Sequence, residues 1–228
     1  MPGATGSTWV VVPAYNESTV IAATVHDLRQ CFTDIVVVDD FSADGTGPIA
    51  LAAGAHLVRH AVNLGQGAAL ATGIAYALRQ GAEAIVTFDA DGQHAVADAR
   101  AMVARLNAGD VDVVLGSRFL GHAPGISAGR RALLRLAVLF TRATTGLAVT
   151  DAHNGLRVLS RRAAETIRIR QNRMAHASEI LEQIAGRRLR VAEMACTIAY
   201  TDYSRAKGQR WTGVFSILGD LLTRRLYR

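Results

Sequence analysis

Five short runs rich in β-branched residues, at 9–12, 35–38, 56–58, 84–88 and 111–115, alternate with helix-like stretches at 18–32, 45–53, 67–80 and 97–106. That alternation restricts the fold more than any other feature. Strands joined one after another through helices must run parallel, and a parallel sheet has to be covered on both faces. The first half of the chain is therefore expected to be α/β, a Rossmann-like and mostly parallel sheet under helices. Ligands of such open sheets gather at the carboxyl ends of the strands, so polar residues there are the first candidates for a site.

Beyond Ser117 the alternation stops, and a Gly/Pro-bearing loop at 121–129 leads into a long apolar helix from about Ala132. A short strand at 155–160, helices at 162–169 and 175–185, and two strands at 189–192 and 196–200 are expected after it. The tail at 213–226 then spaces Val214, Phe215, Ile217, Leu218, Leu221 and Leu222 helically, with Arg224, Arg225 and Arg228 at its end. With 228 residues, half of them hydrophobic, the chain can bury one large core, and 1–228 is read as a single domain with a C-terminal subregion.

The net charge of +6 conceals a division: residues 1–120 carry six arginines against twelve carboxylates, whereas residues 121–228 carry nineteen basic groups against seven acidic ones. An acidic half suits a divalent cation, and a basic half suits phosphates or an anionic membrane surface. The most hydrophobic segment, 133–149, is interrupted by Arg135 and Arg142, so no bilayer span is expected. Residues 1–7 lack the basic start and apolar stretch of a secretory signal, and a cytoplasmic location is expected. Cys31 and Cys196 lie far apart without CxxC spacing and read as buried small hydrophobes.

Three strand ends break into polar groups. The sharpest is Thr87-Phe88-Asp89-Ala90-Asp91-Gly92-Gln93, in which an apolar strand runs into two aspartates one residue apart. Both carboxylates can face one point, and Mg²⁺ or Mn²⁺ is satisfied by one or two carboxylates together with diphosphate oxygens, Gln93 adding an amide oxygen. A lone pair of this kind also occurs as an ordinary turn that caps the next helix. The second strand end carries Asp39 and Asp40, able to accept hydrogen bonds from a base or a ribose, and the first carries Pro13, Tyr15 and Glu17, with an aromatic to pack on a flat base. Each could be a helix cap on its own, but capping does not explain why all three converge on one crevice.

In order along the chain, PAYNE, VVVDDFSADGT, NLGQGAALATG, TFDADGQ and VLGSRF resemble the family-two glycosyltransferases of the GT-A fold. Further on, DAHNGLRVLSRRA, the segments around Glu179 and Glu193 and the YSRAKGQ loop are similar to the dolichyl-phosphate mannosyltransferase branch, so the resemblance covers nearly the whole chain. It implies that Asp89, Asp91 and Gln93 hold the metal and that Pro13, Tyr15, Glu17, Asp39 and Asp91 line the nucleotide-sugar site, with Asp40 beside them. Arg118 and Arg131 would face the phosphates. Gln66 stands where relatives commonly have lysine, and His153-Asn154 where the mannosyltransferases tend to show Thr-Ser. The implied reaction is inverting hexose transfer, with GDP-mannose the favoured donor, to a polyprenyl or dolichyl phosphate at the cytoplasmic membrane face. A small membrane protein is a candidate partner, and the helices at 133–149 and 214–226 are candidate membrane contacts.

Lys207 is the only lysine in a chain with twenty-four arginines, and it lies in a polar loop beside Gly208. An ammonium there is placed to close over phosphate oxygens, making Arg118, Arg131 and Lys207 the acceptor-phosphate set. A phosphate monoester with a second pKa of about 6 is already largely dianionic at neutral pH, so no strong base is required. Two rival functions remain from the residues alone. A hydroxyl-acceptor transferase would need a base such as Glu179 or Asp151, and a nucleotide-sugar sensor would need no catalysis.

Other patterns carry less. Gly65-Gln66-Gly67 has Leu70 where a dinucleotide fold needs its third glycine. Gly125-Ile126-Ser127-Ala128-Gly129 matches a hydrolase elbow, with Asp151 and His153 or His176 to follow, but Ser127 sits about ten loop residues past the expected strand. The histidines lack zinc spacing, and the arginines at 187, 188 and 190 lack the aromatic interleaving of a nucleic-acid surface.

Overall fold

The computed structural model describes residues 7–199 apart from 123, 125 and 127. Lys207, Ser127 and the amphipathic run at 213–226 therefore lie outside the described residues. Among the described residues seven strands form one sheet: β1 (Thr8–Ala14), β2 (Asp34–Asp39), β3 (His56–Arg59), β4 (Ala84–Thr87), β5 (Val113–His122), β6 (Arg157–Ser160) and β7 (Val191–Thr197). The helices are α1 (Ile21–Arg29), α2 (Thr46–Ala52), α3 (Gln66–Arg79), α4 (Val96–Asn107), α5 (Ala128–Thr145), α6 (Arg161–Thr166) and α7 (His176–Gly186).

The strand order is β3-β2-β1-β4-β6-β5-β7, and β6 alone runs antiparallel to its neighbours. Period-two alternation along β1 shows why the sheet is buried twice. Val10, Val12 and Ala14 join the core formed with Ile21, Val25, Leu28 and Met102 of α1 and α4, while Trp9 and Val11 join the opposite core with Leu70, Ile74 and Ala77 of α3. Gly73 lets α3 lie close on the sheet, because a Cβ there would meet the side chain of Val11.

Three expectations are corrected. The strands expected at 189–192 and 196–200 are one strand, β7, since Glu193, Met194 and Ala195 continue the parallel register against Leu115, Gly116 and Ser117. Strand β5 continues well past Leu115 to His122, pairing with β7 through Ser117 and again, after a register shift, at His122, so Arg118 sits in the irregular stretch of a strand. Cys31 is exposed just beyond α1, and only Cys196 is buried. No described helix is long and apolar enough to cross a membrane.

Candidate active site

The loops after β1 and β2 are stitched to each other. Asn16, held at φ 53, receives Ala43 N–H on its Oδ1 at 3.0 Å and donates its own N–H to Ser42 Oγ at 2.9 Å, while Glu17 N–H reaches Thr46 Oγ1 at 2.8 Å. These bonds fix Tyr15 and the buried Glu17 at the rim of a cleft, with the Tyr15 ring half-exposed. Asp39 is buried one residue behind the cleft. Its Oδ1 accepts Ser42 N–H at 2.8 Å, and its Oδ2 has only an unaligned ion pair with Arg59 at 3.3 Å. Asp40 lines the cleft but is already occupied, accepting from Leu64 N–H at 2.9 Å and Gly65 N–H at 2.7 Å and lying 2.7 Å from His60 Nδ1. Its carboxylate organises the loop that starts α3.

Asp89 and Asp91 leave β4 toward the same cleft. Gln66 Nε2 donates to Asp89 Oδ1 at 2.9 Å and His94 Nε2 meets Oδ2 at 3.1 Å, while Gly155 is pressed so close that any Cβ would strike the carboxylate. Burial pushes the Asp89 carboxyl up, but its bond to His94 and the charges of His94, Arg157 and His176 outweigh this and hold it below the usual carboxylate range. Asp91 is pushed up to about 6, by burial first and then by the neighbouring charge of Asp89 and, more weakly, of Glu17. Its Oδ1 accepts Gln93 N–H at 3.1 Å.

The cleft encloses about 450 Å³ and is lined by Pro13, Tyr15, Glu17, Asp89, Asp91 and Gln93, together with Arg118, His153 and Met174. Across Arg118 it adjoins a second groove of about 860 Å³ beneath α5, where Arg131, Arg135 and Arg142 alternate with Phe119, Val138 and Leu139. Arg118 is buried, donating from Nε to Asp151 Oδ2 at 2.6 Å and from Nη2 to the His153 carbonyl at 2.7 Å. The two carboxylates weighed as bases are engaged: Asp151 by Arg118, and Glu179 by the N–H groups of Arg170 and Gln171 at 2.9 and 2.8 Å.

Most of the residues singled out in the sequence thus meet at one cleft, with Asp39 behind it and Arg131 in the adjoining groove. Sequence reasoning missed Arg157 and His94. Arg157 faces Thr87 across the β4–β6 pairing and is buried with Nη1 unpartnered. Nothing local marks it, because its place depends on β6 inserting antiparallel between β4 and β5. Among the described residues, the buried side-chain polar atoms without a hydrogen-bond partner are Asp39 Oδ2, His94 Nδ1, both ring nitrogens of His153 and Arg157 Nη1. All of them cluster at or just behind this cleft, and such orphans cost about 1–3 kcal/mol each unless a ligand or ion engages them.

The donor set fits a hard divalent cation. Two carboxylates that repel each other in one buried cleft, with an amide oxygen adjacent, relieve that repulsion by sharing a cation. Among the described residues no group of three or more His, Cys, Asp and Glu side chains forms a complete cage, so part of the coordination would have to come from a bound diphosphate or water.

Strand order and paired strand-end carboxylates define a glycosyltransferase architecture of the GT-A type. The chain belongs to the family described as "Glycosyl transferase family 2", which matches residues 9–168. It is 30% identical over 240 residues to the UDP-N-acetylglucosamine–dolichyl-phosphate N-acetylglucosaminyltransferase of Methanococcus voltae, covering 94% of each chain. It is 32% identical over 173 residues to the polyprenol monophosphomannose synthase of Mycolicibacterium smegmatis, covering 72% of this chain and 65% of that one. Glucosyl-3-phosphoglycerate synthase from Mycobacterium tuberculosis, solved with Mg²⁺ and uridine diphosphate, superposes with a TM-score of 0.75 at 20% identity, over 96% of this chain and 79% of that one. At that identity the likeness speaks to the fold.

Proposed function

We propose that the cleft binds a nucleoside diphosphate sugar with Mg²⁺ or Mn²⁺ and transfers its hexose, with inversion, to a polyprenyl phosphate. The carrying observation is the junction at Arg118, among the described residues the one cationic side chain common to the carboxylate cleft and the arginine-lined, partly apolar groove. A diphosphate donor with a flat base suits the first, and an anionic head on an apolar chain suits the second. The names of the Methanococcus and Mycolicibacterium relatives support such an acceptor, one for N-acetylglucosamine and one for mannose. GDP-mannose is the first donor to test and UDP-N-acetylglucosamine the second.

On this reading Tyr15 packs on the base, Pro13 and Glu17 shape its pocket, and Asp39, buried just behind the cleft with Oδ2 beside Arg59 at 3.3 Å, is the acceptor for ribose or base. Asp89, Asp91 and Gln93 hold the cation, which when bound neutralises charge on the leaving diphosphate as a Lewis acid. Gln66 and His94 fix the Asp89 carboxylate from two sides, so the ligand set is oriented before substrate arrives. Arg118 and Arg131, with Lys207, offset the charge of the incoming phosphate, which attacks as a dianion and needs no base. That agrees with the engagement of Asp151 and Glu179. The exposed face of α5, with Leu136 and Leu139 beside its arginines, supplies peripheral attachment to a membrane on its cytoplasmic side.

The test is Mn²⁺-dependent conversion of polyprenyl phosphate in vesicles to its hexosyl product, followed by mass. Asp91→Ala should lower turnover by about 10³-fold. Undiminished transfer in Asp89→Ala and Asp91→Ala, or transfer to soluble hydroxyl acceptors alone, would overturn the proposal.

A further inference from the structure

His153 stands out among the orphaned groups. It lies in the 151–155 turn between α5 and β6, and it lines the same cleft as Asp89 and Asp91. Both ring nitrogens are shielded from solvent and neither has a hydrogen-bond partner among the described residues. Its backbone, by contrast, is fully engaged: the N–H donates to Asp151 Oδ1 at 3.2 Å and the carbonyl accepts from Arg118 at 2.7 Å. The main chain is thus pinned while the side chain is left with one donor and one acceptor unspent.

Neighbours decide what such a ring can bind. Burial, then the charges of Arg157 and Arg118, push its pKa down to about 4 against the opposing pull of Asp151. The imidazole is therefore neutral at physiological pH and is not a phosphate-binding cation, the role given above to Arg118, Arg131 and Lys207. A neutral imidazole offers one N–H and one lone pair, the complement of an alcohol, which also donates once and accepts once. The soft torsion about Cβ–Cγ lets the ring swing either edge toward the cleft without moving the pinned backbone.

Its place narrows the ligand. The cleft it lines also carries Arg118 and the carboxylates assigned to the cation. A group seated between the diphosphate end of the cleft and Arg118 is the transferred sugar. We propose that His153 is a specificity-determining residue that hydrogen-bonds a ring hydroxyl of the donor hexose. This rests on the donor reading of the cleft given above. A site that hydrogen-bonds one hydroxyl rejects sugars that present it differently, because its own polar groups would then be left unpaired.

The experiment uses the full chain with Mn²⁺ and polyprenyl phosphate vesicles. It compares kcat/KM for GDP-mannose, UDP-glucose and UDP-N-acetylglucosamine in the wild type, His153→Ala and His153→Phe, with the Kd of GDP and UDP as sugar-free controls. His153→Phe keeps a ring of similar shape and removes both nitrogens. The expected result is a loss of at least about tenfold in kcat/KM for the best donor, with the ratio of best to second-best donor falling toward one and the Kd of the nucleoside diphosphates unchanged within about twofold. A donor ratio unchanged in either folded variant overturns the inference, as does nucleoside diphosphate binding that weakens in parallel with transfer. Failure of both variants to fold also overturns it, by placing the ring in the core. A wild type inactive with every donor overturns the donor reading itself, whereas an active wild type with unaltered selectivity in the variants overturns this inference alone.

Discussion

Arg118 donates from Nε to Asp151 Oδ2 at 2.6 Å, and the two side chains are only 6% and 0% exposed. A buried pair of this kind contributes little net stability when intact, but removing one partner strands the other charge in a low dielectric. Asp151→Ala should therefore cost about 3–5 kcal/mol in urea denaturation, and it should also loosen the cation that joins cleft and groove. The double variant Asp151→Ala/Arg118→Met should recover much of that stability without recovering transfer. Equal stability of the single and double variants would show that the pair does not behave as a stranded charge.

Gly155 makes a second, sharper prediction. Its carbonyl accepts from Thr87 Oγ1 at 2.6 Å, which fixes it against β4, and a methyl group there would collide with the Asp89 carboxylate. Gly155→Ala should displace the carboxylate held by Gln66 and His94 and lower turnover by about 10²-fold, the usual cost of misplacing a reacting group by about 1 Å. Mn²⁺ affinity measured by calorimetry should fall with it. Retained Mn²⁺ affinity would mean that Asp89 is not part of the cation site.

The acid limb of stability follows from opposed titrations. His153 and His176 are each pushed down to about 4, chiefly by burial. Between pH 6.5 and 4 the unfolded chain therefore binds protons that the folded chain refuses, and stability falls as pH falls through that window. Asp91, pushed up to about 6, acts in the other direction: between pH 6 and 3.8 the folded state takes up a proton before the unfolded state does. The wild type should lose stability gradually from pH 6.5 to 4, and Asp91→Asn, which removes the offset, should lose it more steeply. Urea midpoints at half-unit pH steps read this directly, and parallel curves for the two proteins would refute it.

What the sequence reveals here depends on how local the cause is. The runs ending in Asp39-Asp40 and Asp89-Ala90-Asp91 are legible because strand periodicity and the following turn lie within a dozen residues of each other. Strand β7 is not, since Glu193 and Ala195 are poor strand formers and pair only because β5 is beside them; Glu193 even turns its carboxylate to the Thr150 N–H at 2.8 Å. Arg157 is hidden for the same reason: it lies 68 residues from Asp89 in the chain, and the antiparallel insertion of β6 that brings it near has no periodic signature. His94 is only five residues from Asp89, but its contact depends on how the loop after β4 turns back on itself, which no periodicity marks. The orphaned imidazole of His153 is likewise a property of packing.

The groove under α5 yields the last prediction. Arg131 lines it from an exposed position at the start of the helix, while Leu136 and Leu139 are 55% and 61% exposed. If the arginine meets the acceptor phosphate and the leucines meet lipid, the two functions should separate. Arg131→Ala should raise KM for polyprenyl phosphate by about tenfold or more, the loss of one charge-assisted hydrogen bond of roughly 1.5–3 kcal/mol, with the donor KM unchanged. Leu136→Ser/Leu139→Ser should reduce sedimentation with anionic vesicles, since fully burying a leucine contributes about 1.5–3 kcal/mol. Leu136→Ser alone should keep its kcat/KM toward a short-chain, water-soluble prenyl phosphate, because Leu136 lines neither the carboxylate cleft nor the groove. Vesicle binding undiminished by the leucine substitutions would detach α5 from the membrane, and a donor KM that rises with Arg131→Ala would move that arginine to the donor side.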